Sequence, residues 1–73
     1  MFIIIEIQEA TYGATPGTLI FKEETQNEAL SKWHEILHYA AVSTLYRHSA
    51  VVLNTEGKII ARESYMHTGG DEV

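Results

Sequence analysis

Five consecutive residues, His34-Glu35-Ile36-Leu37-His38, spell H-E-x-x-H. On a helix this spacing sets two imidazoles one turn apart, where both can hold a zinc ion while the carboxylate takes a proton from the metal-bound water. A catalytic zinc site needs a third protein ligand and one position left for water. The extended zinc-protease pattern would put glycine at position 41 and histidine at 44, where this chain has Ala41 and Thr44. His48 and His67 are the other imidazoles, and neither falls at a zinc-protease spacing. Four histidines in so short a chain also make the motif attainable by composition. His34 and His38 are therefore read as polar residues on the flank of a packed helix, with no cofactor. The alternative is a minimal zinc hydrolase with His34 and His38 as ligands and Glu35 as general base.

A second group has a different chemistry. Tyr46-Arg47-His48-Ser49 leads into an apolar run, and Arg62 and Tyr65 lie further along the chain. Arginine forks and aromatic faces suit phosphate and base recognition, so a nucleotide-sized ligand at a subunit interface is one use of such a group. Surface ion pairs with Glu56 or Glu63 are the plainer use. The chain has no glycine-rich phosphate loop, and its lack of cysteine removes disulfides, thiolate zinc clusters and cysteine nucleophiles.

The elements that must carry these residues follow from hydrophobic period. Residues 2–8 read as a strand with Ile3, Ile5 and Ile7 on one face and Phe2, Ile4, Glu6 and Gln8 on the other. The second face is half apolar as well. With the isoleucine face against the helix, that second face is expected to look outward and to serve self-association. Tyr12-Gly13 and Pro16-Gly17 mark a long turn before a second strand at 18–23, and Tyr12 is the loop side chain that suits binding. Thr25-Gln26-Asn27-Glu28 matches a capping box. Ala29, Leu30, Trp33, Ile36, Leu37, Ala40 and Ala41 then recur at spacings of three and four, predicting a helix of about 16 residues with Trp33 as its core anchor. Ser49–Leu53 and Lys58–Tyr65, joined by Asn54-Thr55-Glu56-Gly57, predict two further strands. The fold class is α+β in the order β-β-α-β-β, a four-stranded, mainly antiparallel sheet with one helix on one face. Residues 1–67 form a single domain, and 68–73 read as a flexible acidic tail.

The net charge of −5 disfavours direct binding to nucleic acid, and no segment has the roughly 20 apolar residues of a membrane span. A domain of this size buries only about 60% of its unfolded surface, so further burial in a homo-oligomer is expected.

The stretch from Asn27 to Ser43, followed by His48-Ser49-Ala50-Val51-Val52-Leu53 and the Asn-Thr-Glu-Gly turn, resembles small uncharacterised proteins encoded in phages and prophages of clostridia and related gut bacteria. The resemblance spans roughly residues 1–67 and transfers no functional residue. It implies a cytoplasmic setting in a bacterial host and a mode of action: stoichiometric binding that inhibits a host-defence protein or sequesters a small, nucleotide-like ligand. The sequence thus points to an oligomeric, non-enzymatic binding protein whose partner is a protein or a small molecule. Its binding candidates are Tyr12, His34, His38, Arg47, His48 and Arg62. A purely structural oligomer subunit is a further alternative.

Overall fold

The computed structural model describes residues 1–67; the expected acidic tail, 68–73, lies outside the described residues. Strand β1 (Phe2–Glu9) pairs antiparallel with β2 (Gly17–Glu23), helix α1 (Gln26–Ala41) follows, and β3 (Arg47–Asn54) and β4 (Ile59–Met66) complete the chain. All neighbours are antiparallel in one open sheet of order β2-β1-β3-β4. The two hairpins therefore join through their first strands, β1 against β3.

The helix starts where its box lies. Thr25 has extended backbone, its Oγ1 accepts from Glu28 N at 3.2 Å, and Thr25 N donates to Glu28 Oε1 at 3.3 Å. Two otherwise orphaned N–H groups are thereby satisfied. Thr25→Ala is expected to lower stability by about 1 kcal/mol, read as a shift in the urea midpoint at unchanged slope. The helix ends at Ala41, after 16 residues, and the N–H of the capping residue Val42 bonds back to the carbonyls of the last turn. Ala41, expected in the apolar stripe, is exposed.

Ala29, Ile36 and Leu37 of α1 bury against Ile4, Ala50 and Val52, with Phe2, Phe21, Leu30, Trp33 and Tyr65 packed around them, and Ala40 is buried as well. This corrects the expected orientation of β1. The helix covers the Phe2-Ile4-Glu6-Gln8 face, and Ile3, Ile5 and Ile7 lie on the uncovered side. The reason lies in β3, whose inward residues His48, Ala50 and Val52 are all buried. Ala50 is small enough for the helix to approach, and Trp33 Nε1 donates to its carbonyl at 3.0 Å. On the isoleucine face the β3 partners of Ile3 and Ile5 are the larger Leu53 and Val51, and a small residue, Ser49, stands only opposite Ile7.

A bulge between β3 and β4 sets the last detail. Val52 pairs with Ala61 and Leu53 with Ile59, so Ile60 is the extra residue. Ile60 packs toward the core while Ile59 is exposed.

Candidate functional site

Three distinct places receive the residues singled out in the sequence. The helix carries the first set on its solvent side, where His34, Glu35 and His38 are all exposed. His34 packs edge-on against Trp33 and His38 against Tyr39, at ring separations of 4.9 and 5.4 Å. The Glu35 carboxylate lies 3.7 Å from Lys32 Nζ, an exposed i,i+3 pair worth about 0–1 kcal/mol. Among the described residues, no three His, Cys, Asp or Glu side chains are grouped to hold a metal ion.

The second place is the core. His48, expected at the approach to the third strand, is inside it, and β3 alternation turns its ring under the helix. Its Nε2 lies 2.6 Å from Glu6 Oε2, and Gln8 Nε2 donates to the same oxygen at 2.9 Å. Side-chain exposure is 6% for His48 and 13% for Glu6, so a polar pair closes one end of the core. Without the imidazole, the Glu6 oxygen would keep the Gln8 amide as its remaining partner and lose the shorter of its two contacts. His48→Leu is accordingly expected to destabilise by about 1–3 kcal/mol, read by urea unfolding. His48 is a fold residue here and is not available to a ligand.

The third place is the end of the sheet where the β1–β2 loop meets the connection from α1 to β3. Tyr46 N donates to Ala10 O at 3.1 Å, and His67 N donates to Tyr46 O at 2.8 Å. The His67 ring reaches the helix end, Nε2 to Ala40 O at 2.9 Å. Inside the loop, Gly13 takes a positive φ of 81°, and its N–H donates to Glu9 Oε2. Tyr12 meets Tyr46 at 5.6 Å with the ring planes 75° apart, and the Arg47 guanidinium lies 5.6 Å from the same Tyr46 ring. Tyr12 and Arg47 thus come together around a tyrosine.

Arg62 goes elsewhere, to the uncovered face of β4 opposite Val51. The expected grouping of Tyr46, Arg47, His48, Arg62 and Tyr65 is therefore split: Tyr46 and Arg47 meet at the sheet end, His48 and its ladder partner Tyr65 face the core, and Arg62 lies on the open face, while His34 and His38 stay on the helix exterior. The expected ion pairs with Glu56 or Glu63 are replaced by one between Arg47 Nε and Glu9 Oε1 at 3.7 Å. Glu9 was not among the sequence candidates, although its register opposite Arg47 follows once β1 and β3 pair.

The open face is the largest surface feature. Ile5 lies between Ile20 of β2 and Val51 of β3, and Ile3 between Lys22 and Leu53. Ile20 is 61% exposed. A shallow trough of about 520 Å³ runs over Ile7, Val51 and Ile59, with Arg62 and the hydrogen-bonded Ser49 and Ser64 hydroxyls beside it. Charge lies on the edge strands and at one end: Lys22 on β2, Arg62 on β4 with Glu63 also lining the trough, and the Glu9–Arg47 pair.

The fold is thus a β-β-α-β-β unit with one covered and one uncovered sheet face. Compared with family models, curated proteins and solved structures, the chain has no match. No helix of the described residues is long and apolar enough to cross a membrane.

Proposed function

We propose that this protein is a small, oligomeric, non-enzymatic binding protein. In the setting its resemblance implies, it is a phage accessory factor in the cytoplasm of a bacterial host that works by occupying a partner or ligand. The observation that supports this reading is the uncovered isoleucine face. A sheet face left to solvent in a monomer ordinarily reads polar, whereas here both central strands present aliphatic side chains. Four strands of seven or eight residues span roughly 27 by 19 Å at ordinary strand rise and spacing, about 500 Å² in plan. Side-chain relief raises the accessible area above that figure, toward the roughly 800 Å² each partner gives to a standard interface. An apolar centre with charges at the margin is also how protein interfaces are built.

The occupant of this face is a second copy. Two isoleucine faces stacked at about 10 Å make a sandwich, and each chain gains the second apolar layer that its own length denies it. His34, Glu35 and His38 stay together on the helix exterior, but among the described residues no third metal ligand is grouped with them, and His48 and Arg62 lie in the core and on the open face. The test is native mass spectrometry of protein purified without chelator or affinity metal. A metal-free multimer is expected. A monomer at micromolar concentration would overturn the assembly, and a multimer carrying stoichiometric zinc would return the hydrolase reading, to be tested with Glu35→Gln.

A further inference from the structure

Tyr12 is 82% exposed, yet the loop that carries it is not slack. Ala14 N donates to Thr11 O at 3.0 Å, Gly13 N donates to Glu9 Oε2, and the Tyr46–Ala10 backbone bond pins the loop to the start of β3. A large aromatic ring is thus held out in water by a braced turn, with one ring, that of Tyr46, at its edge. Between the two lies a cleft of about 310 Å³ lined by Thr11, Tyr12, Thr44, Tyr46 and His67 together with Ala10. That volume is at the lower end of small-molecule sites. Two rings at 75° give a wall and a floor for a third, flat ring, and the threonine hydroxyls offer donors and acceptors at its rim.

Arg47 adds an independent pointer. Its Nε is shielded from solvent and has no hydrogen-bond partner among the described residues. The Glu9 carboxylate is 3.7 Å away, too far for a hydrogen bond, and the side chain remains 43% exposed. The guanidinium lies against Tyr46, a lining residue of the cleft, and its exposed part, beyond the shielded Nε, suits an anionic group brought in by a ligand.

We propose that the cleft between Tyr12 and Tyr46 binds a small molecule that joins a planar ring to an anionic group, with the ring on Tyr12 and the anion at Arg47. The proposal rests on the binding-protein reading and deepens it by giving the chemistry of a ligand; its cleft lies at the end of the sheet, beside the margin of the isoleucine face where Arg47 sits opposite Glu9. A nucleotide and an aromatic carboxylate share this chemistry.

The experiment is a titration of the full chain, followed by amide chemical shifts, with AMP, adenosine, benzoate and inorganic phosphate in turn. AMP or benzoate is expected to give saturable shifts at Thr11, Tyr12, Thr44, Tyr46, Arg47 and His67, and the tighter of the two identifies the source of the anion. Adenosine and phosphate, each half of AMP, are expected to bind about tenfold or more weakly than AMP. Tyr12→Ala, at an exposed loop position that leaves the fold intact, should weaken the better ligand by about tenfold or more. Arg47→Gln should erase the advantage of AMP over adenosine. Absence of saturable shifts with both anions up to about 10 mM, shifts centred elsewhere, or full binding by Tyr12→Ala would overturn the proposal. An intact multimer that binds neither anion overturns the cleft alone, while a monomer that binds one overturns the assembly alone.

Discussion

Ile5→Lys is expected to convert the multimer into a folded monomer. Ile5 lies at the centre of the open face, flanked by Ile20 and Val51 through the ladder. Buried between two sheets, an ammonium group there would lose its hydration. Glu9, the one carboxylate on this face of β1, lies at the strand end beside Arg47. A symmetric pair would also bring two such lysines into one interface. Uncompensated buried charges cost several kcal/mol, so dissociation should become easier by about a thousandfold, roughly 4 kcal/mol. The fold itself should persist, because Ile5 faces away from Ile4, Val52 and the helix that form the core. Sedimentation velocity with far-UV circular dichroism reads both halves of this expectation. Thr18→Lys, on the same face but on the edge strand β2, serves as the comparison and should leave the mass unchanged. An Ile5→Lys variant that remains multimeric would show that the copies meet elsewhere.

Trp33→Ala should remove the cooperative fold. The half-buried indole packs against the core cluster and anchors its Nε1 to the Ala50 carbonyl, a contact between residues 17 apart in sequence. Truncating a core tryptophan costs about 3–5 kcal/mol, whereas a domain of this length holds about 4–11 kcal/mol in total. Thermal melting followed by circular dichroism should lose its sigmoid shape or begin below room temperature. Trp33→Phe separates packing from hydrogen bonding: it retains most of the ring and gives up the bond to Ala50, with an expected loss of about 1–2 kcal/mol. If Trp33→Ala melts within a few degrees of the parent, the core is held chiefly by other contacts.

The helix was legible in nearly full detail, because cap, stripe and anchor are local signals and each agrees with the others. Strand positions were legible for the same reason. The face of β1 was not. Alternation alone favours Ile3, Ile5 and Ile7 as the buried set, since their rivals include Glu6 and Gln8. Burial of the Glu6 side depends on His48, 42 residues away, whose imidazole meets the carboxylate. It depends also on Ala50, whose small size admits the helix. Neither partner is visible in the period of β1. The same gap explains the binding candidates. Arg47 and Tyr12 are brought together by pairing of the two hairpins, and Arg62 is separated from them by distance along the ladder, since it lies opposite Val51 while Arg47 lies opposite Met66 at the sheet end.

The joining of the hairpins through β1 and β3 also bears on how the chain comes to fold. The central ladder pairs Phe2 with Asn54 and Glu9 with Arg47, so the first strand to be synthesised waits for the third before one of its edges is closed. Until then the β1–β2 hairpin has isoleucines on one face and Phe2, Ile4 and Phe21 on the other, with the helix not yet docked. Pairings that distant slow the search for the native state relative to a helical chain of equal size. The period of greatest risk for this protein is therefore the interval on the ribosome before residue 54 emerges, when an apolar two-stranded ribbon has neither of its covers.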